Sequence, residues 1–134
     1  IGRAKVWREG EDVTLISYGK GMTYVMEAAD ALQKDGISAD VVDLRTLRPL
    51  DLETVVRSVQ KTNRAVLVEE GFPVASYTSW VASRIMQEAF DYLDAPVLTC
   101  TGKDVPMPYA ANLEKLALTS VKEVLDAVRT VTYR

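Results

Sequence analysis

Apolar and polar positions along this chain follow two rhythms. Short apolar runs recur at Val13–Tyr18, 39–44, Ala65–Val68 and Val97–Thr101. Each is rich in β-branched or aromatic residues and bounded by turn-forming residues, which reads as strand. The continuous run Ala65–Val68 suits a strand buried on both faces. Between the runs, apolar residues fall three and four apart, the repeat of one helix face. Met22, Val25, Met26, Ala29 and Leu32 predict a helix running to Asp35 and closed by Gly36. Leu52, Val55, Val56 and Val59 predict a second over 51–61, capped by Asp51 and ended by Thr62 and Asn63. Trp80, Val81, Ile85, Met86 and Ala89 predict the inner face of a third, Ser76–Phe90. Two helical segments close the chain, near Leu113–Leu116 and over Ser120–Thr130, the latter with Val121, Val124, Leu125 and Val128 inward. Ala4–Arg8 reads as a short edge strand with Trp7 at its rim.

Strands alternating with helices imply parallel pairing, right-handed crossovers and helices on both faces of one sheet. The expectation is a three-layer α/β/α domain of about five strands.

Composition narrows the chemistry. The 134 residues fit one domain, and residue 1 is Ile, as in a piece cut from a longer polypeptide. Sixteen basic and nineteen acidic residues leave a net charge of −3, without the positive footprint that nucleic acid requires. No window reaches the length of a membrane span, and the first residues carry no signal-peptide pattern. The single cysteine, Cys100, excludes an internal disulfide and reads as a small buried hydrophobe. The absence of histidine removes the commonest general acid–base and the commonest metal ligand.

Three stretches are candidates for function. Gly19-Lys20-Gly21 lies between a strand and a helix but matches neither phosphate-loop pattern, so a turn that needs glycine is favoured. Glu69 and Glu70 follow a strand at its carboxyl end, where α/β sheets gather ligands. Consecutive residues of a strand point apart, so a solvated or arginine-paired role is favoured over an acid–base pair. The stretch 39–52 places Arg45 and Arg48 on an arm before Pro49, which biases Arg48 to extended angles.

Several phrases then match one pattern: Gly2-Arg3-Ala4-Lys5, Val42-Asp43-Leu44-Arg45-Thr46-Leu47-Arg48-Pro49-Leu50-Asp51, Val68-Glu69-Glu70-Gly71, Leu93-Asp94-Ala95-Pro96 and Gly102-Lys103-Asp104-Val105-Pro106-Met107-Pro108-Tyr109-Ala110. Together they resemble the C-terminal domain of transketolase-like enzymes, and within them the pyruvate dehydrogenase E1 β subunits. The resemblance covers essentially the whole chain. It implies a five-stranded mixed sheet whose first strand is antiparallel, with Val41–Leu44 a central strand. It implies an α2β2 parent, of bacterial cytoplasm or mitochondrial matrix, that uses thiamine diphosphate and Mg2+. The cofactor and catalytic residues would lie in the α subunit and in an N-terminal pyrimidine-binding domain of β. This domain would be inactive alone.

The same resemblance implies two assembly roles. The domain would pack two β subunits about a two-fold axis. It would also help dock the basic peripheral-subunit-binding domain of the E2 acyltransferase, through Asp94 and the chain end at Arg134, with Asp91 and Glu88 adding to the field. Arg134 departs from the apolar residue usual there. Arg45 and Arg48 would position the arm beside subunit contacts, or pair with Glu69 or Glu70. Two other readings remain open. One is the same domain of a branched-chain 2-oxo acid or acetoin dehydrogenase. The other is a stand-alone flavodoxin-like module that binds an anion at Gly19–Met22, lined by Glu69, Glu70 and Arg48.

Overall fold

The computed structural model describes residues 1–70, 76–102 and 120–133. In chain order the elements are β1 Lys5–Arg8, β2 Val13–Ser17, α1 Gly21–Lys34, β3 Ala39–Asp43, α2 Leu52–Thr62, β4 Ala65–Val68, α3 Tyr77–Ala89, a 3-10 turn Phe90–Tyr92, β5 Leu98–Cys100 and α4 Val121–Thr132. One sheet runs β1-β3-β2-β4-β5, parallel throughout except for β1, which is antiparallel to β3. The expected mixed sheet is present. One detail differs: β2 is central, and β3 is second from the edge because β1 closes its outer side. The segments 71–75, 103–119 and residue 134 lie outside the described residues, and with them the Leu113–Leu116 helix, most of the 102–109 loop and Arg134.

Alternation along each strand sends side chains into two cores. Leu15, Val41 and Val66 face α1 and α4, meeting Val25, Leu32, Val124 and Val128. Ile16, Val42 and Leu67 face α2 and α3, meeting Val55, Val59, Val81 and Ile85. Full burial of each such side chain stabilises by about 1.5–3 kcal/mol. Asp51 caps α2 by accepting from Thr54 N, Ser76 caps α3 and Ser120 caps α4. Asn63 ends α2 in the left-handed region, and Gly36, at φ +79, follows α1.

Two expectations about inner faces change. Trp80 and Met86 are exposed, at 47% and 40%. The inward stripe of α3 is Thr78, Val81, Ile85 and Ala89, spaced three, four and four, and it leaves both residues on the flank. Trp80 leans instead on Tyr77, at 5.7 Å between ring centroids. On α2 the buried positions include Ser58 and Thr62, while Val56 and Leu52 are only partly covered. Polar residues sit inward there because Asp40 of β3 is buried beneath them. Its carboxylate accepts from Gly10 N at 3.0 Å, from Lys61 Nζ at 2.8 Å and from the Ser58 hydroxyl. Thr14 continues the network to Ser58 and Thr62. Each buried polar group in it has a partner, as burial demands.

Candidate functional site

The carboxyl end of the sheet is organised around one buried carboxylate. Glu69, directly after β4, is 2% exposed. One carboxylate oxygen accepts from Thr78 N at 3.0 Å and from the Thr78 hydroxyl at 2.6 Å. The other accepts from the Tyr18 hydroxyl at 2.5 Å. Burial works to raise the Glu69 pKa, but the hydrogen bonds from Thr78 and Tyr18 outweigh it and hold the carboxyl below its ordinary value. Tyr18 is pushed the other way, by burial and then by its bond and charge repulsion with Glu69. This pair is therefore a fixed phenol and a fixed carboxylate. Glu69 joins the ends of β2 and β4 to the first turn of α3.

Glu70 points elsewhere, as consecutive residues must. It accepts from the Tyr24 hydroxyl at 3.4 Å and lies 4.0 Å from Lys20 Nζ. The expected pairing of Arg45 or Arg48 with these glutamates is absent among the described residues. Glu69 turns inward beneath Tyr18 and α3, whereas both arginines are exposed. Arg45 sits at φ +58, its N–H donates to Asp43 Oδ1 at 3.0 Å, and its guanidinium lies 5.7 Å from the Trp7 ring. Other groups also hold the arm. Tyr77 donates its hydroxyl to Leu47 O, Gly2 N donates to Thr46 Oγ1, and Ala4 N donates to Asp51 Oδ2. The Arg48–Pro49 peptide is cis.

The glycine loop before α1 is accounted for by packing. A Cβ at Gly21 would sit 2.1 Å from Ser17 Oγ, and Gly19 has φ +58. Among the described residues, no three His, Cys, Asp or Glu side chains converge as a metal site would need. The carboxylates nearest the sheet end are engaged by hydroxyls and an ammonium group.

A second cluster lies at the far end of α3. Glu88, Asp91 and Asp94 are all exposed there. Met86, Phe90, Leu93, Asp94, Ala95 and Pro96 line a groove of about 290 Å³ beside them. The turn is held by its neighbours. Asp94 N donates to Asn63 O at 2.9 Å, and Asn63 Nδ2 donates to Tyr92 O at 2.7 Å. The Tyr133 hydroxyl donates to Asp94 O at 3.1 Å, which brings the end of α4 against the turn. Arg64 binds Val131 O at 3.1 Å through Nε and approaches Asp94 Oδ2 at 3.6 Å. Sequence reasoning named the acids and gave no role at this turn to Asn63 or Arg64. Their positions between α2 and β4 were the available signal.

The family model for the transketolase C-terminal domain matches residues 2–124. The chain belongs to this family. Relatives of this transketolase C-terminal domain include pyruvate dehydrogenase E1 component β subunits. That of Rhizobium meliloti is 60% identical over the whole chain, which spans 29% of it. That of Rickettsia felis is 51% identical over 99% of the chain and 41% of the relative. The mitochondrial β-2 subunit of Oryza sativa is 49% identical over the whole chain and 36% of the relative. The chain thus spans less than half the length of these relatives. A solved split-gene transketolase, described as an inactive β4 tetramer, superposes with a TM-score of 0.82 at 35% identity over 98% of this chain and 42% of that one.

Proposed function

We propose that this chain is the C-terminal assembly and E2-docking domain of a pyruvate dehydrogenase E1 β subunit. The parent α2β2 enzyme would decarboxylate pyruvate on thiamine diphosphate with Mg2+ and pass the acetyl group to the lipoyl group of E2. A pyrimidine-binding domain would precede this one in the same polypeptide. Sixty per cent identity to a named β subunit along the whole chain is the observation that carries the reading. The 35% identical split-gene transketolase, a β4 tetramer by its description, supports self-association of such domains. Bacterial cytoplasm and mitochondrial matrix both suit the relatives.

The docking role rests on the turn at Asp94. Three exposed acids beside an apolar groove, with the end of α4 fastened to the same turn, match a basic partner that also offers an apolar side chain. Opposite charge steers encounter and sets register, and the groove excludes water from the contact. Asp94 is partly engaged by Arg64, so its charge is held in place. Arg45, Arg48, Glu69 and Glu70 would act in positioning and assembly, with no part in the chemistry.

The test uses α2β2 enzyme built with full-length β. Asp94→Lys is expected to weaken binding of the E2 subunit-binding domain at least tenfold by calorimetry, with the unfolding midpoint of the enzyme unchanged. Unaltered affinity would overturn the docking role. Thiamine diphosphate titrated into this chain alone is expected to give no binding heat, and tight stoichiometric binding would overturn the division of labour.

A further inference from the structure

The helical layers leave one strand bare. α1 and α4 cover one face of the sheet, and α2 and α3 the other, yet β1 extends beyond both. Its apolar residues Val6 and Trp7 are 37% and 48% exposed, although they point to opposite faces. On the α1 side, Trp7, Met22, Thr23, Met26 and Asp43 line a groove of about 330 Å³. An apolar groove of this kind along an edge strand marks a contact surface.

Charge says what the groove takes. Lys5 Nζ lies 3.6 Å from the centre of the Trp7 ring, and Arg45 Cζ lies 5.7 Å from it. Two cations thus gather on one exposed ring, each attracted by its π face. Neither forms an ion pair among the described residues. The nearest carboxylate, Asp43, is occupied: one oxygen accepts from Trp7 Nε1 at 3.2 Å and the other from Arg45 N at 3.0 Å. Arg45 holds this place at φ +58, in the left-handed region that glycine favours. The pairing of β1 with β3 is irregular between Val6 and Arg8, at Trp7 itself. That irregularity, with Lys5 and Arg8 beside it, blunts the edge against adding another strand. Recognition here runs through side chains.

We propose that the groove between β1 and α1 docks an acidic segment of a different polypeptide chain, one that carries an apolar side chain between its carboxylates. The apolar side chain sits against Trp7, Met22 and Met26, and the carboxylates meet Lys5 and Arg45. A second copy of this chain is disfavoured, because two-fold pairing of the groove gathers the cations of both copies at one interface.

The probe is a glutamate-rich peptide with one central phenylalanine, added to the full-length polypeptide and read by hydrogen–deuterium exchange. A lysine-rich peptide of the same length is the control. Slower exchange over residues 5–8 and 21–26 is expected with the acidic peptide alone. Lys5→Glu combined with Arg45→Glu is expected to weaken it at least tenfold, as is Trp7→Ala, a milder change at an exposed position. Circular dichroism checks that both variants fold. Absence of protection, equal protection by the lysine-rich peptide, or wild-type affinity in either folded variant would overturn the proposal. So would protection that grows with protein concentration without peptide, which would mean that a second copy fills the groove.

Discussion

Glu69 and Asp94 are carboxylates at opposite ends of the same layered domain, and they are used in opposite ways. Glu69 is out of water and spends both oxygens on the hydroxyls of Thr78 and Tyr18 and the N–H of Thr78. Asp94 is exposed, and its backbone rather than its carboxylate does most of the holding. The first acid builds the fold and has little left to offer a partner. The second costs the fold little and stays available. The difference teaches that an acidic residue at the carboxyl edge of an α/β sheet needs its burial and donors known before it is given a role.

The comparison can be broken most forcefully at Glu69. Glu69→Ala leaves the Thr78 N–H and two hydroxyls without an acceptor, and loss of about 3 kcal/mol is expected in denaturant unfolding. A loss under about 0.5 kcal/mol would place Glu69 outside the framework. Thr78→Val removes one donor while keeping shape, and about 1 kcal/mol is expected by the same measurement. Acid sharpens the contrast further. The folded Glu69 pKa is below its ordinary value, so its contribution is complete above the unfolded carboxylate pKa of about 4.3. It is lost as pH falls through the folded value. Stability curves of wild type and Glu69→Gln are therefore expected to converge below about pH 4, and parallel curves would refute the assignment. Smallest of all is Asp94→Asn, expected to move stability by less than about 0.5 kcal/mol, because an exposed pair with Arg64 is worth little.

The layered fold was legible because its signal is periodicity. Ala65–Val68 coincides with β4, and Asp51, Asn63 and Gly36 punctuate the helices as their chemistry predicts. The site was legible only in part. Tyr18 and Thr78 meet Glu69 across 51 and 9 residues of sequence, and no local pattern encodes a meeting of that kind. Trp80 and Met86 misled because hydrophobicity alone does not fix the centre of a helical stripe. For Arg45 and Arg48 the resemblance left two roles open, and the burial of Glu69 beneath Tyr18 and Thr78 disfavours only the one that pairs them with Glu69.

Asn63 has a wider meaning. Its left-handed backbone ends α2, its carbonyl takes Asp94 N, and its side chain holds Tyr92 O. The acidic turn is therefore fastened from behind, through main-chain atoms. Substitutions at Glu88, Asp91 or Asp94 can repaint the outward surface while the turn keeps its seat. A lineage built on this scaffold is free to exchange one partner for another by changing surface charge, with no new solution to the folding problem.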